Sequence, residues 1–415
     1  MEKWIECKIS DIGTVVGGAT PSTKKPENYE NGDIAWITPK DLSSFSGRYI
    51  QRGERNITEI GLKSCSTQLL PKNTVLFSSR APIGYVAIAE NAVCTNQGFK
   101  SVIPNEDTDP IFLYYLLKYN KDKIESMGSG TTFKEVSGNT MKNIVVSVPQ
   151  DKQVQEKIAS VLDAIDEKIE ENERINNNLE QQAQLLFKSW FVDFEPFNGT
   201  MPSDWEVVPF EKIVDFQNGY AFKSKELLNE PSSDCYQVFK QGHIARGGGF
   251  IPDGTKSWYP KKLASKLERF VLKKGDILMA MTDMKNNVAI LGNTAIMPID
   301  NEYIVNQRVG HLRVNGYKGI TYPFIYLLTN STDFLIDLRS RANSGVQVNL
   351  SSAEIKASQT VLPSEKVNTA FSEITFPMFE AIISNQLENQ RLAQLRDTLL
   401  PKLMSGELDV SDIDL

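Results

Sequence analysis

The chain has 415 residues, of which 45 are Lys or Arg and 52 are Asp or Glu, so its formal net charge is −7. A chain of this length is expected to form about two domains, each with its own core. Its 40% apolar and 23% charged residues exclude a largely disordered protein. No apolar run reaches the length that spans a bilayer. Four scattered cysteines without a CxxC pair indicate reduced thiols, so we expect a cytoplasmic protein. Taken as a whole, the negative charge argues against a nucleic-acid binder.

The sequence repeats itself at an offset that drifts from about 201 to about 214 residues, so loop lengths differ while the order of elements persists. The matching segments are 4–12 and 205–213, 72–76 and 274–278, 96–97 and 306–307, and 112–117 and 324–328. Each copy combines short β-type runs, such as residues 74–77 and 144–148, with one or two short helices. The sequence therefore predicts a duplicated α+β unit.

A long helix is predicted after each copy. Residues 153–190 contain neither Pro nor Gly, and their apolar residues recur at the three- and four-residue spacing of a coiled-coil seam. Because a globular copy separates the two helices in the chain, we expect them to pair antiparallel. Their seven-spaced rows match at a constant shift of 213. The predicted helix-pairing residues are Ile158, Ile165, Asn172, Leu179 and Leu186 in the first helix, and Phe371, Met378, Asn385, Leu392 and Leu399 in the second.

An asparagine lies at the middle of each row. The midpoints of an antiparallel pair meet, so we hypothesise that Asn172 and Asn385 lie close together and fix the register at some cost in stability. The alternative is that one or both face solvent. Pro377 predicts a kink in the second helix or a later start of that helix. The predicted segments are residues 1–150 for the first domain, 151–196 for its helix, 197–363 for the second domain, and 364–415 for the second helix and C-terminal tail.

The net charge is unevenly distributed along the chain. Residues 151–196 hold 11 acidic and 5 basic side chains, and residues 366–415 hold 8 and 4, so these helical segments are net −6 and −4. The globular segments 1–150 and 197–365 are net +1 and +2. This distribution allows two nucleic-acid contact surfaces on an acidic spacer, although a solvated face is the commoner reason for an acidic helix.

The residue types that carry catalysis are sparse. The only two histidines, His243 and His311, are isolated in the sequence, so neither a metal cluster nor a Ser-His-Asp set can be assembled. There is no GxxxxGK[ST] loop and no Asn-Pro-Pro-aromatic segment, and we interpret the glycines at 247–249 as a flexible loop. The sequence predicts a binding protein with no catalytic residues and no metal site of its own.

Two α+β units, each followed by a long heptad helix, resemble the specificity subunit of a type I restriction-modification system. The motifs that carry this resemblance are residues 12–22, 32–42, 79–84 and 96–99, and the helix ends 185–191 and 399–406. Residues 237–244 of the second copy depart from the Trp-Ile-Thr-Pro segment of the first. Such divergence is what the family implies, because each domain would recognise a different half-site.

The resemblance implies two target-recognition domains separated by two long helices that pair as an antiparallel coiled coil. Each domain would contact one half of a split double-stranded DNA sequence in the major groove, with the half-sites about one helical turn apart. Two methyltransferase subunits would dock on this chain and methylate flipped adenines with S-adenosylmethionine. Restriction-translocase subunits with ATP and Mg²⁺ would then join for cleavage. The resemblance implies that these cofactors bind the partner subunits, and no membrane is involved.

DNA contacts favour basic and polar side chains on loops. We expect Arg80 to contact guanine or phosphate, with a surface ion pair as the alternative, and we interpret Gln97 and Gln307 as structural. For His243 a locally bonded side chain is the alternative. The predicted DNA-binding residues are Thr38, Lys40, Ser79, Arg80, Thr131, Thr132 and Lys134 in the first domain, and Lys240, Gln241, His243, Thr282, Asp283, Lys285, Gln347 and Asn349 in the second.

Two alternative functions remain open at this point. The partner could be a fused methylase-nuclease, or the chain could be an interaction scaffold whose helices oligomerise and whose domains bind proteins or glycans. An enzyme with an unrecognised site is disfavoured, because the histidines and acids form no clear catalytic constellation in the sequence. Because the globular segments carry a surplus of only +3, we expect the isolated chain to bind DNA weakly and to depend on its partners for phosphate contacts.

Overall fold

The computed structural model describes residues 3–43, 45–80, 82–130, 134–284, 288–344 and 347–410, with only the backbone described at 344 and 347. Their contacts divide the chain into two compact units, one formed by residues 1–171 with 388–415 and the other by residues 172–387. Within the described ranges, no helix is both long enough and apolar enough to cross a membrane.

Within its described residues, the first globular part, residues 3–150, combines ten short strands with six short α-helices. The strands are β1 (Trp4–Lys8), β2 (Gly13–Gly17), β3 (Ile34–Ile37), β4 (Tyr49–Ile50), β5 (Arg55–Ile57), β6 (Val75–Ser79), β7 (Ile83–Ala89), β8 (Cys94–Thr95), β9 (Lys100–Pro104) and β10 (Val145–Pro149). The helices are α1 (Ile9–Ile12), α2 (Pro39–Ser43), α3 (Glu59–Lys63), α4 (Pro110–Tyr119), α5 (Lys121–Ser126) and α6 (Gly138–Asn143). The predicted strands at 74–77 and 144–148 correspond to β6 and β10.

The strands described in this part form three sheets. The largest has the order β2-β9-β6-β7-β4, a second has the order β5-β3-β8, and β1 pairs with β10. All five residues of β6 are buried, because this strand lies at the centre of the large sheet. Helix α4, whose six central residues are buried, packs on β6 and β7 and begins where the Asp109 carboxylate accepts the Phe112 N–H at 2.7 Å.

The first long helix, α7, runs from Lys152 to Phe191. The second globular part follows it with the strands β11 (Glu206–Pro209), β12 (Val214–Asn218), β13 (Cys235–Phe239), β14 (Trp258–Pro260), β15 (Ile277–Ala280), β16 (Thr282–Met284), β17 (Thr294–Ile296), β18 (Tyr303–Val305), β19 (Val309–Val314), β20 (Asn343–Ser344), β21 (Gln347–Asn349) and β22 (Gln359–Leu362). Its helices are α8 (Tyr322–Thr329), α9 (Thr332–Ser340) and α10 (Ser352–Ala357), and the second long helix, α11, spans Glu365–Met404.

The second part repeats the topology of the first. Three of its sheets have the orders β12-β19-β15-β17, β14-β13-β18 and β11-β22, which match strands β2-β9-β6-β7 of the large sheet and the sheets β5-β3-β8 and β1-β10. The sheets β5-β3-β8 and β14-β13-β18 each contain one parallel pair, β3 with β8 and β13 with β18. The equivalent turns before β6 and β15 both have positive φ, at Asn73 (69°) and Gly275 (85°). The predicted duplicated α+β unit is confirmed.

The two long helices run antiparallel within each compact unit. In the first unit Asp166 of α7 contacts Arg396 of α11, and three residues further along α7 the Ile169 carbonyl accepts the Asn389 amide, seven residues earlier in α11. In the second unit Asn176 bonds Asn385, and Phe191 lies against Phe371 with ring centroids 4.8 Å apart. The antiparallel expectation is therefore confirmed within each unit.

Helix α11 is continuous through Pro377, so the predicted later start of the helix is wrong. A proline inside a helix removes one backbone hydrogen bond, and here the packing of Phe371 and Phe379 on the core of the second unit holds the helix on both sides of it.

Candidate nucleic-acid interface

A set of turns at one end of the first domain is held together by backbone hydrogen bonds. Asn96 N–H donates to the Ile37 carbonyl at 3.0 Å, Ser79 N–H to the Gly98 carbonyl at 2.7 Å, and Val136 N–H to the Ser79 carbonyl at 2.9 Å. The Asn96 side-chain oxygen also accepts the Gly98 N–H at 2.8 Å. We call these residues, with those that directly follow Ile37 and Ser79, the turn frame of the first domain.

The second domain builds the same frame from different residues. Asn306 N–H donates to the Phe239 carbonyl at 3.0 Å, Met281 N–H to the Arg308 carbonyl at 3.3 Å, and Leu350 N–H to the Met281 carbonyl at 2.9 Å. The Asn306 side-chain oxygen accepts the Arg308 N–H at 3.3 Å. The two domains therefore present different side chains on equivalent backbone, which suits recognition of two different sequences.

Several predicted DNA-binding residues of the first domain lie on this frame. Arg80 directly follows Ser79, and its guanidinium lies 3.9 Å from the Glu135 carboxylate with about a third of the side chain exposed. Thr38 is half-buried, and both its N–H and its hydroxyl donate to Asp41, which fixes the start of α2.

Lys40 is exposed and pairs with Glu54 at 2.7 Å. Lys134 is exposed. Thr131 and Thr132 lie outside the described residues.

Ser79 is wrong as a predicted DNA contact. Its side chain is fully buried, and its hydroxyl donates to the Gly98 carbonyl at 3.1 Å. The small polar side chain therefore stabilises the turn frame from inside, where no base edge can reach it.

Four of the predicted residues of the second domain lie on a small sheet with the order β16-β21-β20, namely Thr282, Asp283, Gln347 and Asn349. Thr282 is the register partner of Asn349, which is exposed, and Gln347 is the partner of Met284. The Gln241 side chain bonds both the hydroxyl and the carbonyl of Thr282. The Asp283 carboxylate accepts the backbone N–H groups of Met284 and Ile290 at 2.8 Å, so this acid shapes the loop. Lys240 is half-buried, and Lys285 and the Gln347 side chain lie outside the described residues.

His243 is wrong as a predicted DNA contact. The ring is fully buried and stacks on Phe239 with centroids 5.1 Å apart. Its Nδ1 lies 3.1 Å from the backbone of Lys240 and its Nε2 lies 3.2 Å from Gln237. Burial lowers the pKa of the imidazole below its ordinary value. The structure therefore supports the alternative interpretation, in which His243 is a side chain bonded to its local neighbours.

None of the ten predicted helix-pairing residues is exposed. Ile158, Asn172 and Phe371 are buried and the other seven are half-buried. Asn385 donates a 2.9 Å hydrogen bond to Asn176, one turn beyond Asn172 in α7. The hypothesis that Asn172 and Asn385 lie close together stays a prediction. Asn172 is fully buried and Asn385 half-buried, so the alternative in which both asparagines face solvent is wrong.

Acidic residues of α7 hold the first domain on the helix, which sequence reasoning did not anticipate. The buried Arg48 guanidinium bonds Asp163 and makes a two-oxygen pair with Glu170 at 2.9 and 3.1 Å. One turn from Asp163, the Asp166 carboxylate accepts from Tyr115 and from Arg396. The solvated-face interpretation is wrong for these acids. The i, i+3, i+7 spacing of these acids places them on one helix face, and this spacing in the sequence could have indicated a contact with the first domain.

The comparisons with known proteins agree with this architecture. The family model of the type I restriction modification DNA specificity domain matches residues 1–181 and again 202–396, one match for each copy of the repeat. The chain belongs to the type I restriction-modification specificity family.

The similarity to known specificity subunits covers nearly the whole chain. It is 36% identical to the MjaIX specificity subunit of Methanocaldococcus jannaschii over 99% of this chain and 94% of that protein. It is 25% identical to the HindI specificity subunit of Haemophilus influenzae over 98% of this chain and all of that protein. Its fold is similar to that of the S subunit from M. genitalium, with a TM-score of 0.62 and 19% identity, over 97% and 96% of the two chains.

Three exposed side chains on the turn frames of this specificity-family chain were not predicted as DNA contacts. Gln97 and Gln307 are the second residues of the equivalent turns and Arg308 is the third residue of its turn, and all three are exposed. Gln97 is exposed, but its side-chain oxygen accepts from the Thr20 hydroxyl, which fits the structural interpretation. For Gln307 that interpretation stays a prediction. The repeated Asn-Gln pair was the available signal, because the asparagine closes the turn and leaves the next side chain outside it.

Proposed function

We propose that this chain is the DNA-recognition subunit of a type I restriction-modification complex and that each domain contacts one half of a bipartite double-stranded target. The observation that carries the proposal is the duplicated turn frame, in which equivalent backbone hydrogen bonds present different exposed side chains. Protein loops on a rigid frame can contact base edges in the major groove, and a change of side chains then changes the recognised sequence. The two long helices would set the spacing between the half-sites.

The chemistry in this proposal belongs to partner subunits. Two methyltransferase subunits carrying S-adenosylmethionine would methylate the target adenines. Restriction-translocase subunits with ATP and Mg²⁺ would cleave DNA. This chain would have no catalytic role of its own, and the sequence similarity to specificity subunits supports that division.

The test is co-expression of the full chain with its methyltransferase partner in a host that lacks such a system, followed by genome-wide mapping of methylated adenines. The proposal predicts a single bipartite motif that appears only when this chain is present. An interaction scaffold predicts no motif. A subunit of a fused methylase-nuclease predicts a motif only when the fused enzyme replaces the separate methyltransferase.

Arg80→Ala tests the first domain in the same assay. Removing the guanidinium from the turn frame should weaken methylation or relax one position in one half-site, with thermal stability little changed. Lys63→Ala is the matched control, because within the described part of the chain this exposed lysine forms an ion pair with Glu59 alone, four residues away on α3. An unchanged motif and an unchanged rate of methylation in Arg80→Ala would remove this residue from the interface.

A further inference from the structure

The turns at residues 96–98 and 306–308 are equivalent, yet their third residues differ in kind. Each turn begins with an asparagine that accepts the N–H of the third residue, and in each the second residue is an exposed glutamine. The third residue is the buried Gly98 in the first domain and the exposed Arg308 in the second. A glycine has thus been exchanged for the largest basic side chain at one place of a shared frame.

The neighbours of Gly98 explain why the first domain has a glycine at this position. A Cβ at Gly98 would lie 2.8 Å from the Pro39 side chain, so the first domain has no room for a side chain there. Two residues beyond the strand end, where the first domain has Pro39, the second has Gln241. The Gln241 side chain is bonded to Thr282 and is thereby fixed in position.

The arginine of the turn frame lies at non-equivalent positions in the two domains. Thr282 directly follows Met281 as Arg80 follows Ser79, so the arginine position of the first domain is a threonine in the second. The first domain therefore combines Pro39, Gly98 and Arg80, while the second combines Gln241, Arg308 and Thr282. Each turn frame therefore contains one arginine, which is Arg80 in the first domain and Arg308 in the second.

Arg308 differs from Arg80 in its surroundings. The Glu135 carboxylate lies 3.9 Å from Arg80 and 3.4 Å from Lys100, so it partly neutralises that site. Among the residues that the structure describes, no carboxylate lies within ion-pair distance of Arg308, and its guanidinium makes no hydrogen bond there. An exposed guanidinium with all its donors available is suited to an external acceptor.

We propose that Arg308 recognises a guanine in the half-site of the second domain. This inference rests on the proposed DNA-recognition function and names the chemistry of one contact. The planar guanidinium fork fits the O6 and N7 acceptors that guanine presents in the major groove, a pattern that no other base offers. Gln307, Thr282 and Asn349 supply polar groups on the same frame for the flanking positions.

The test compares methylation motifs of wild type, Arg308→Ala and Arg308→Lys in the full chain with its methyltransferase partner. Both variants should lose discrimination at one guanine of one half-site by roughly 10- to 100-fold, while the other half-site keeps its sequence. The lysine variant separates the two-donor contact from charge alone. Arg341→Ala is the matched control, because its guanidinium is already held by Asp337 at 2.9 Å.

Each result decides between this inference and another role. A wild-type motif that both variants retain, even at lower methylation, would indicate a phosphate contact and overturn the inference. Loss of all methylation in both variants would assign Arg308 a structural role and also overturn it. The absence of any bipartite motif with the wild-type chain would instead contradict the proposed function.

Discussion

The Arg396 guanidinium donates a 2.7 Å hydrogen bond to one oxygen of the Asp166 carboxylate, and the Tyr115 hydroxyl donates at 2.7 Å to the other. These residues belong to α11, α7 and α4, so a single carboxylate joins both long helices to the first domain. Burial alone would lower the pKa of Arg396, but the hydrogen bond and the charge of Asp166 outweigh it and raise the pKa above its ordinary value. The guanidinium therefore stays charged.

Asp166→Ala should destabilise the first compact unit strongly. Removing one partner of a buried pair leaves the other charge uncompensated, which costs about 3 kcal/mol or more. Thermal and urea unfolding measure the loss. Asp397→Ala is the control, since this exposed carboxylate also contacts Arg396 and its removal should cost about 0.5 kcal/mol or less. Equal losses in the two variants would contradict the role of burial.

The bond between Asn385 and Asn176 should couple the two long helices within the second unit. Asn385→Ala and Asn176→Ala should each lower the free energy of unfolding by about 1 kcal/mol. The double variant should lose little more than either single one, because the same hydrogen bond is removed in each case. Full additivity of the two losses in a double-mutant cycle would show that the pair does not stabilise the helix contact.

The stability of the second domain should depend on Asp276 in acid. This buried carboxylate lies 2.8 Å from His311 Nε2 and accepts two bonds from Arg313 and one from the Lys273 N–H. Burial acts to raise the pKa of Asp276, but the bonds from His311 and Arg313 outweigh it and lower the pKa below the ordinary value.

A carboxyl with a depressed folded pKa stabilises the protein above its unfolded pKa of about 4, and this contribution is lost as the pH falls through the folded pKa. Asp276→Asn should therefore be less stable than wild type at pH 7, and the difference should shrink below about pH 4. Urea unfolding across this range gives the comparison. A difference that stayed constant down to acid unfolding would exclude the ionised carboxylate as its source.

His243→Ala should change stability and leave the recognised DNA sequence unaltered. The ring is buried against Phe239 and bonds Gln237, so its loss creates a cavity and an unpaired amide. We expect a loss of about 2 kcal/mol in unfolding free energy, with the same methylation motif as wild type. A changed motif at unchanged stability would return this histidine to the interface.

The periodic and repeated features could be predicted from the sequence. The sequence repeat, with an offset of about 201 to about 214 residues, corresponds to equivalent backbone hydrogen bonds in the two domains, such as those of Asn96 and Asn306. The apolar spacing predicted α7 and α11, and the row through Ile158 and Phe371 lies on their buried side. These signals are local, since strand alternation, helix periodicity and turn residues are encoded within a few positions of one another.

The choice of surface residues could not be made in this way. Ser79 and His243 are typical DNA-contacting types, yet both are buried, and only the packing of strands from distant parts of the chain determines this. Arg308 was overlooked because its exposure depends on the turn that Asn306 closes.

The net charge of −7 illustrates the same division. The sequence alone determined that the negative charge lies mostly on two long helices and that the duplicated domains are weakly basic. Only the tertiary structure showed that part of this acidity is already used, since Asp163 and Glu170 bind Arg48 across more than a hundred residues of chain. Ion pairs between distant segments leave no periodic trace in a sequence, because they depend on which faces the folded chain brings together.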